Sequence, residues 1–321
     1  MKTPRVFWGL DQVPPDFGPR ALTIGNFDGV HIGHQELMRR TADIAHANSW
    51  NAAVLTFQPH PAKVIAPARA PNMICDFARR AELMGATGIE QVLVLPFTEE
   101  LSRWTPEEFV LELLVGKLGA KAVVIGDDFR FGHKQGGDRA LLETLGRQHG
   151  FDVVTVDPVE VRGQRVSSSL LREMAAAGRI TRASRLLARP FELEGQVVSG
   201  HGIGSKQTVP TLNLAPDSEV LPRSGVYVTR TAELSEGRRR ARRWESITNV
   251  GMRPTFNGDA LTIETYLLSP FEPPDPERIR VEFLWRIRDE RKFASPEELK
   301  AQILRDARRA MRVHARLRRF C

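Results

Sequence analysis

The chain has 321 residues, 41% hydrophobic and 26% charged, with 46 basic side chains against 39 acidic and a formal net charge of +7. This length suits about two domains, each with its own core, and the composition excludes a disordered or fibrous chain. No apolar run reaches membrane-spanning length, the N-terminus lacks an apolar core with a cleavage site, and Cys75 and Cys321 form no disulfide framework, so a cytoplasmic protein without a membrane partner is expected.

The first informative element is a short buried strand at 21–25. It runs into Gly25-Asn26-Phe27-Asp28-Gly29-Val30-His31-Ile32-Gly33-His34, and an amphipathic helix follows over about 33–47. A strand, a glycine-rich turn and a helix N-terminus together form a phosphate site, because unpaired backbone N–H groups and the helix dipole converge there. Gly25 and Gly29 let the backbone approach a polyphosphate closely. His31 and His34, three residues apart, share one helix face and aim two N–H donors at the same point. Alone, the two histidines would suit a helix cap or a metal site; with the strand, the glycines and Asp28, phosphate binding is the better reading.

Continuous apolar runs at 52–57, 91–97, 121–126 and 152–156 read as strands covered on both faces. Helical patterns at 76–84, 106–118 and 138–148 lie between or beside them, and Thr105-Pro106-Glu107-Glu108 is a helix start with Thr as N-cap. The alternation predicts a parallel sheet in a doubly wound α/β domain, with the ligand beyond the C-terminal strand ends.

After about 187 the texture changes. Segments 191–200, 209–214, 225–231, 245–251, 261–269 and 278–288 read as strands separated by turns, and a helix begins at Pro296. Six strands in about 100 residues closed by one helix fit a small antiparallel barrel. The boundary is expected at 185–190, giving domains 1–185 and 186–321. Arg238, Arg239, Arg240, Arg242 and Arg243 fall in an expected hairpin loop, and the basic tail over 305–319 has a helical period. Neither cluster interleaves aromatic residues as a single-strand groove would, so no nucleic-acid partner is expected.

The motifs resemble those of HIGH-type nucleotidyltransferases. The form G-x-F-D-G-V-H-x-G-H resembles one branch, the bacterial bifunctional riboflavin kinase/FAD synthetases. Three more elements are similar to that family: TFQPHP at 56–61 with His60, GDDFRFG at 126–132 with Asp128, and VSSSLLR at 166–172. The last matches a flexible phosphate-gripping loop written I-S-S-T-x-I-R, with Ser169 in place of the threonine. The resemblance implies adenylyl transfer from ATP to FMN, with Gly25, Phe27, Asp28, Gly29, His60 and Asp128 binding substrate. His31, His34, Ser168, Ser169 and Arg172 would stabilise charge. The chemistry suits these residue types: a phosphomonoester with a second pKa of about 6 is mostly dianionic and needs no general base. It needs in-line positioning and charge neutralisation.

In the second half, Gly202, Gly204 and Lys206 precede Pro210-Thr211-Leu212-Asn213, resembling the riboflavin kinase pattern G-x-x-x-G-R-x-L-G-x-P-T-A-N. The resemblance implies a nucleotide loop at Gly202, Gly204 and Lys206, and Thr211 and Asn213 as ligands of Mg²⁺ and nucleotide phosphates. Glu264 matches the family's catalytic base, although pattern alone makes it an outward strand residue. Three departures stand out: Gly204-Ser205-Lys206 replaces the usual G-R, Thr208-Val209 replaces L-G before the proline, and Ser269-Pro270-Phe271-Glu272-Pro273-Pro274 replaces D-F-x-x-D-L-Y-G after Leu268. Lys206 keeps a charge there but loses bidentate geometry.

The expectation is an α/β chain: an N-terminal doubly wound, Rossmann-like nucleotidyltransferase domain, then a C-terminal antiparallel β-barrel of riboflavin kinase type. Its substrates would be riboflavin, FMN and ATP with Mg²⁺, and weak self-association is compatible with it. The competing readings are an FMN adenylyltransferase with a weak or drifted kinase domain, and a non-enzymatic RNA-binding or flavin-sensing protein.

Overall fold

A computed structural model describes residues 3–14, 19–198, 211–234, 242–255, 258–269, 274–291 and 293–318. The chain forms two compact units, 1–168 and 169–321.

In the first unit, strands β1 (Arg5–Trp8), β2 (Arg20–Ile24), β3 (Asn51–Gln58), β4 (Gln91–Pro96), β5 (Ala120–Gly126) and β6 (Asp152–Val156) form one sheet. Their order is β1-β4-β3-β2-β5-β6, and every pairing is parallel. The helices are α1 (Ile32–Ala47), α2 (Pro61–Ile65), α3 (Phe77–Gly85), α4 and α5 (Arg139–His149). Helix α4 opens at Pro106–Glu108 and continues with wider π-type turns over Phe109–Lys117. Its start is a reciprocal cap: Thr105 Oγ1 accepts the Glu108 N–H at 3.1 Å, and the Glu108 carboxylate accepts the Thr105 N–H at 2.7 Å.

The continuous apolar strands are buried on both faces, as a doubly wound sheet requires. One layer packs Leu22, Leu55, Leu93 and Val123 against Val110, Leu113 and Leu142; the other packs Val54, Val92 and Ala122 against Met38, Ala45 and Met84. From β2 the chain winds outwards through β3 and β4, whereas β5 and β6 lie on the other side. The switch point is therefore between β2 and β5. Thr23 pairs with Val124, so Gly25 and Gly126 leave the sheet side by side. A two-stranded hairpin, β7 (Glu160–Val161) with β8 (Gln164–Arg165), follows β6.

Helices α6 (Ser168–Ala176) and α7 (Ile180–Leu187) open the second unit. Strands β9 (Phe191–Val198), β10 (Thr211–Pro216), β11 (Gly225–Glu233), β12 (Arg243–Thr255), β13 (Gly258–Leu267) and β14 (Arg278–Arg288) close into a barrel of order β10-β13-β12-β11-β14-β9. All six pairings are antiparallel. Leu193, Leu212, Leu214, Ile263, Val281 and Phe283 are buried inside. So is a chain of hydroxyls, Thr231–Ser246–Thr229–Thr248–Thr265, each link 2.8 or 2.9 Å. A run of this kind satisfies every buried hydroxyl and ties three strands together.

Helix α8 (Pro296–Leu317) covers Val226, Val228 and Ile247 on the outer wall with Ala307, Ala310 and Val313. Nε and Nη2 of Arg288 donate to Asp306 Oδ2, at 2.9 and 2.8 Å, and fasten the helix there. Arg305, Arg308, Arg309, Arg312 and Arg316 lie on its exposed face.

Candidate functional site

The loop between β2 and α1 is tightly wound. Phe27, Gly29 and Val30 all have positive φ, at 50°, 78° and 40°. For a β-branched residue such as Val30 this geometry costs about 1–3 kcal/mol, and buried surroundings must hold it. Val30 is 1% exposed and Phe27 3%. The Asp28 carboxylate accepts the backbone N–H of Ile74 at 3.0 and 3.1 Å and that of Cys75 at 3.5 Å. Asp28, expected to bind substrate, thus clamps the loop from behind. The Phe27 ring packs closely on Gly25: a Cβ there would lie 3.1 Å from it.

His31 is the N-cap of α1, its Nδ1 accepting the His34 N–H at 3.2 Å. The proton of a neutral His31 therefore sits on Nε2. The two imidazoles stack with centroids 3.6 Å apart, and Phe27 meets His34 edge-on at 5.2 Å. Burial, then the neighbouring His31, then Arg80, push the His34 pKa well below 6.5. Its Nδ1 is buried with no hydrogen-bond partner among the described residues.

His60 caps α2 through Nδ1, which accepts the Ala62 N–H at 3.1 Å, and its Nε2 lies 3.1 Å from the Asn26 side-chain amide. Because Nδ1 accepts, neutral His60 is protonated on Nε2, and the amide suits it best with its oxygen turned to the ring. His60 thereby links the TFQPHP turn to the histidine loop.

Ser168 reaches the same loop, donating from Oγ to the Asp28 carbonyl at 2.9 Å. The segment expected to be a flexible loop is helical from Ser168 onward, with Ser169 exposed and Arg172 half-buried on α6. Asp128 follows β5, and its carboxylate lies 2.8 Å from Arg165 Nη2, which also bonds Asp127 at 2.8 Å. Beside it Asp127, Phe129, Arg130, Asp138, Arg139 and Glu143 line a cleft of about 250 Å³. Phe131 is core, and Phe129 stacks on it at 5.5 Å.

Sequence reasoning missed two side chains here. Arg165 ties down both aspartates. Arg80 on α3 is 1% exposed; its Nη1 donates to the Asn26 carbonyl at 2.7 Å, and its guanidinium lies 5.3 Å from the centre of the Phe77 ring. Burial lowers the Arg80 pKa, opposed by Cys75, Asp28 and Asp76. Among the described residues no carboxylate stands within ion-pair distance of it.

On the barrel, β10, β13 and β12 are neighbours. Asn213 is in register with Glu264, and Glu264 with Asn249; Thr211 is in register with Tyr266. Inward neighbours Leu212, Ile263, Thr265, Thr248 and Val250 are buried, whereas Asn213, Glu264 and Asn249 are part-exposed on the outer face. Glu264 is indeed an outward strand residue, and that outward face is where Asn213 stands. A hydroxyl, a carboxamide oxygen and a carboxylate are hard oxygen donors, suited to a divalent cation whose other ligands are phosphates and water. Gly202, Gly204 and Lys206 lie outside the described residues.

A parallel sheet with an H-x-G-H loop at its switch point defines a nucleotidyltransferase. A six-stranded barrel with Thr211, Asn213 and Glu264 on one face defines a flavokinase-type domain. The sequence profile of FAD synthetase matches residues 14–170, and that of riboflavin kinase matches 187–314. The chain belongs to the bifunctional riboflavin kinase/FMN adenylyltransferase family. It is 34% identical to the protein of that name from Escherichia coli K12 over 95% of this chain and 96% of the relative. The Pseudomonas fluorescens protein of the same name is 35% identical, over 93% and 94%. A solved structure from Streptococcus pneumoniae, described as a macrolide-efflux protein, is similar at TM-score 0.82 and 26% identity, over 95% of this chain and 97% of that one. Among the described residues no helix is long and apolar enough to cross a membrane.

Proposed function

We propose that the chain makes FMN from riboflavin and then FAD from FMN, and that Mg²⁺ accompanies ATP in both steps. The observation that carries the reading is the coexistence of two groups of side chains: His31 and His34 with Ser168 around the β2–α1 loop, and, on the barrel, Asn213 in register with Glu264 and Thr211 two residues before Asn213 on the same strand.

In the first unit the FMN phosphate oxygen attacks the α-phosphorus of ATP and pyrophosphate departs. His31 Nε2, the neutral His34 ring and the Ser168 and Ser169 hydroxyls, with Arg172, serve as donors to the phosphoryl oxygens. No base is required, because the attacking phosphate of FMN is already mostly dianionic. Asp128, His60 and the loop glycines shape the floor for nucleotide and flavin.

In the second unit the terminal ribityl hydroxyl of riboflavin attacks the γ-phosphorus, its proton passes to Glu264, and ADP leaves. Mg²⁺, when bound, offsets phosphate charge; Thr211 and Asn213 are the residues that would hold it, with Gly202, Gly204 and Lys206 at the nucleotide. The test is direct. Purified protein incubated with riboflavin, ATP and Mg²⁺, its products resolved by chromatography, should yield FMN first and FAD later. FAD from supplied FMN without any FMN from riboflavin would leave only the first half standing.

A further inference from the structure

Asn249 sits in the middle of β12, in register with Glu264 on β13, which is in register with Asn213 on β10. Asparagine is disfavoured inside strands. Among the described residues no hydrogen bond engages its carboxamide. The outer face of β12 is covered on both sides of this position. Ile247 lies under α8 with Ala307 and Ala310, and at Gly251 a Cβ would fall 2.1 Å from Glu290 Oε1, so the Glu290 carboxylate fills that space. Asn249, between the two, stays part-exposed. Among the described residues, a carboxamide without a hydrogen-bond partner is thus kept open between the covered positions Ile247 and Gly251.

The row gives that gap a direction. Neighbouring strands lie about 4.8 Å apart, so Asn213, Glu264 and Asn249 span roughly 10 Å. With phosphate held at Asn213 and the base at Glu264, the acceptor hydroxyl lies between them. In-line attack then requires the rest of the acceptor to extend away from the phosphate, over Asn249. The acceptor's chain is a run of hydroxyls, each both donor and acceptor, and a carboxamide supplies both complements.

We propose that Asn249 binds the polyhydroxyl chain of riboflavin and turns its terminal hydroxyl toward Glu264, an inference that rests on the kinase reading above. The full-length protein carries the test, with Asn249→Ala, Asn249→Ser and Asn249→Asp beside Glu264→Gln. Asn249→Ala should lower kcat/KM for riboflavin about tenfold, the worth of one or two oriented hydrogen bonds, with the KM for ATP unchanged. Flavin fluorescence titrations in the presence of ADP and Mg²⁺ should show weaker riboflavin binding by a similar factor. Asn249→Asp adds a like charge next to the base and should move the acid limb of the riboflavin phosphorylation pH profile upward. Asn249→Ser, which keeps a polar group in the strand, covers the case in which the alanine variant does not fold.

Unchanged riboflavin parameters in folded Ala and Ser variants would overturn the proposal, as would a loss confined to the KM for ATP. The two readings separate cleanly. An inactive Glu264→Gln with an unaffected Asn249→Ala removes Asn249 alone, whereas an active Glu264→Gln removes the base itself.

Discussion

Nδ1 of His31 accepts the backbone N–H of His34 at 3.2 Å while the two rings stack 3.6 Å apart, so one side chain both caps α1 and sets the pose of its partner. Loss of the His31 cap should cost about 1 kcal/mol of stability. Loss of either donor from transition-state charge should cost about 3 kcal/mol, roughly a hundredfold in rate. His31→Ala and His34→Ala should therefore cripple FMN adenylylation and spare riboflavin phosphorylation. His31→Asn should recover the thermal stability of the parent without its activity. Equal loss of both activities in a folded variant would refute the assignment of two separate sites.

Arg80 poses a sharper question, because its guanidinium is buried and, among the described residues, no carboxylate lies within ion-pair distance of it. Replacing such a charge by an apolar side chain of similar volume is often neutral or stabilising. Its bond to the Asn26 carbonyl, at 2.7 Å, nevertheless holds the histidine loop, and its charge disfavours protonation of His34. Arg80→Met should keep or raise the melting temperature, lower FMN adenylylation by about tenfold, the worth of one charged hydrogen bond, and raise the His34 pKa measured by NMR. Full activity in this variant would leave Arg80 with no part in the site.

The depressed pKa of His34 also sets a pH dependence. Below about pH 6.5 the unfolded chain takes up a proton that the folded chain refuses, so stability is present above that pH and declines as pH falls. The limiting slope is about 1.4 kcal/mol per pH unit for each such histidine. His314, 4% exposed on the buried face of α8, shifts the same way, burial outweighing the pull of Glu245. Urea unfolding at pH 7.5, 6.5 and 5.5 should show this decline, and His34→Gln should flatten it relative to the parent. A parent slope no steeper than that of the variant would count against a neutral buried His34.

Where the sequence was readable, the signal was periodic or punctuated. The five apolar runs of the α/β unit and all six barrel strands lie where pattern placed them, because continuous and alternating burial leave direct traces. β1 escaped notice because its apolar stretch is short, with only Phe7 fully buried. Arg80 left a trace in retrospect: it occupies one position of the stripe Phe77, Arg80, Ala81, Met84, where a helix should present only apolar side chains to its core. Asn249 left none, since its place beside Glu264 depends on the pairing register of β12 and β13, which a one-residue slip would reverse. His31 and His34 were legible as a pair and a helix cap stood as the alternative to phosphate binding; pattern could not show that His31 caps α1 through the His34 N–H while the two rings stack.

The kinase half has the larger departures, and its chemistry is where a decisive result can be obtained. Thr211 and Asn213 on β10 neighbour Glu264 and Tyr266 on β13, while the altered residues precede Thr211 or follow Leu268. Changes in loops that grip nucleotide or flavin should weaken affinity more than the chemical step. Riboflavin kinase activity is therefore expected, with any deficit in KM. Removing a general base typically costs between a hundredfold and ten-thousandfold in rate. Glu264→Gln should lower kcat for riboflavin phosphorylation at least about a hundredfold, with little change in the KM for ATP, and supplied FMN should still be converted to FAD at the parent rate. If the parent itself makes no FMN from riboflavin at high substrate and Mg²⁺, the barrel is a drifted kinase attached to a working adenylyltransferase, and Glu264 has no proton to accept.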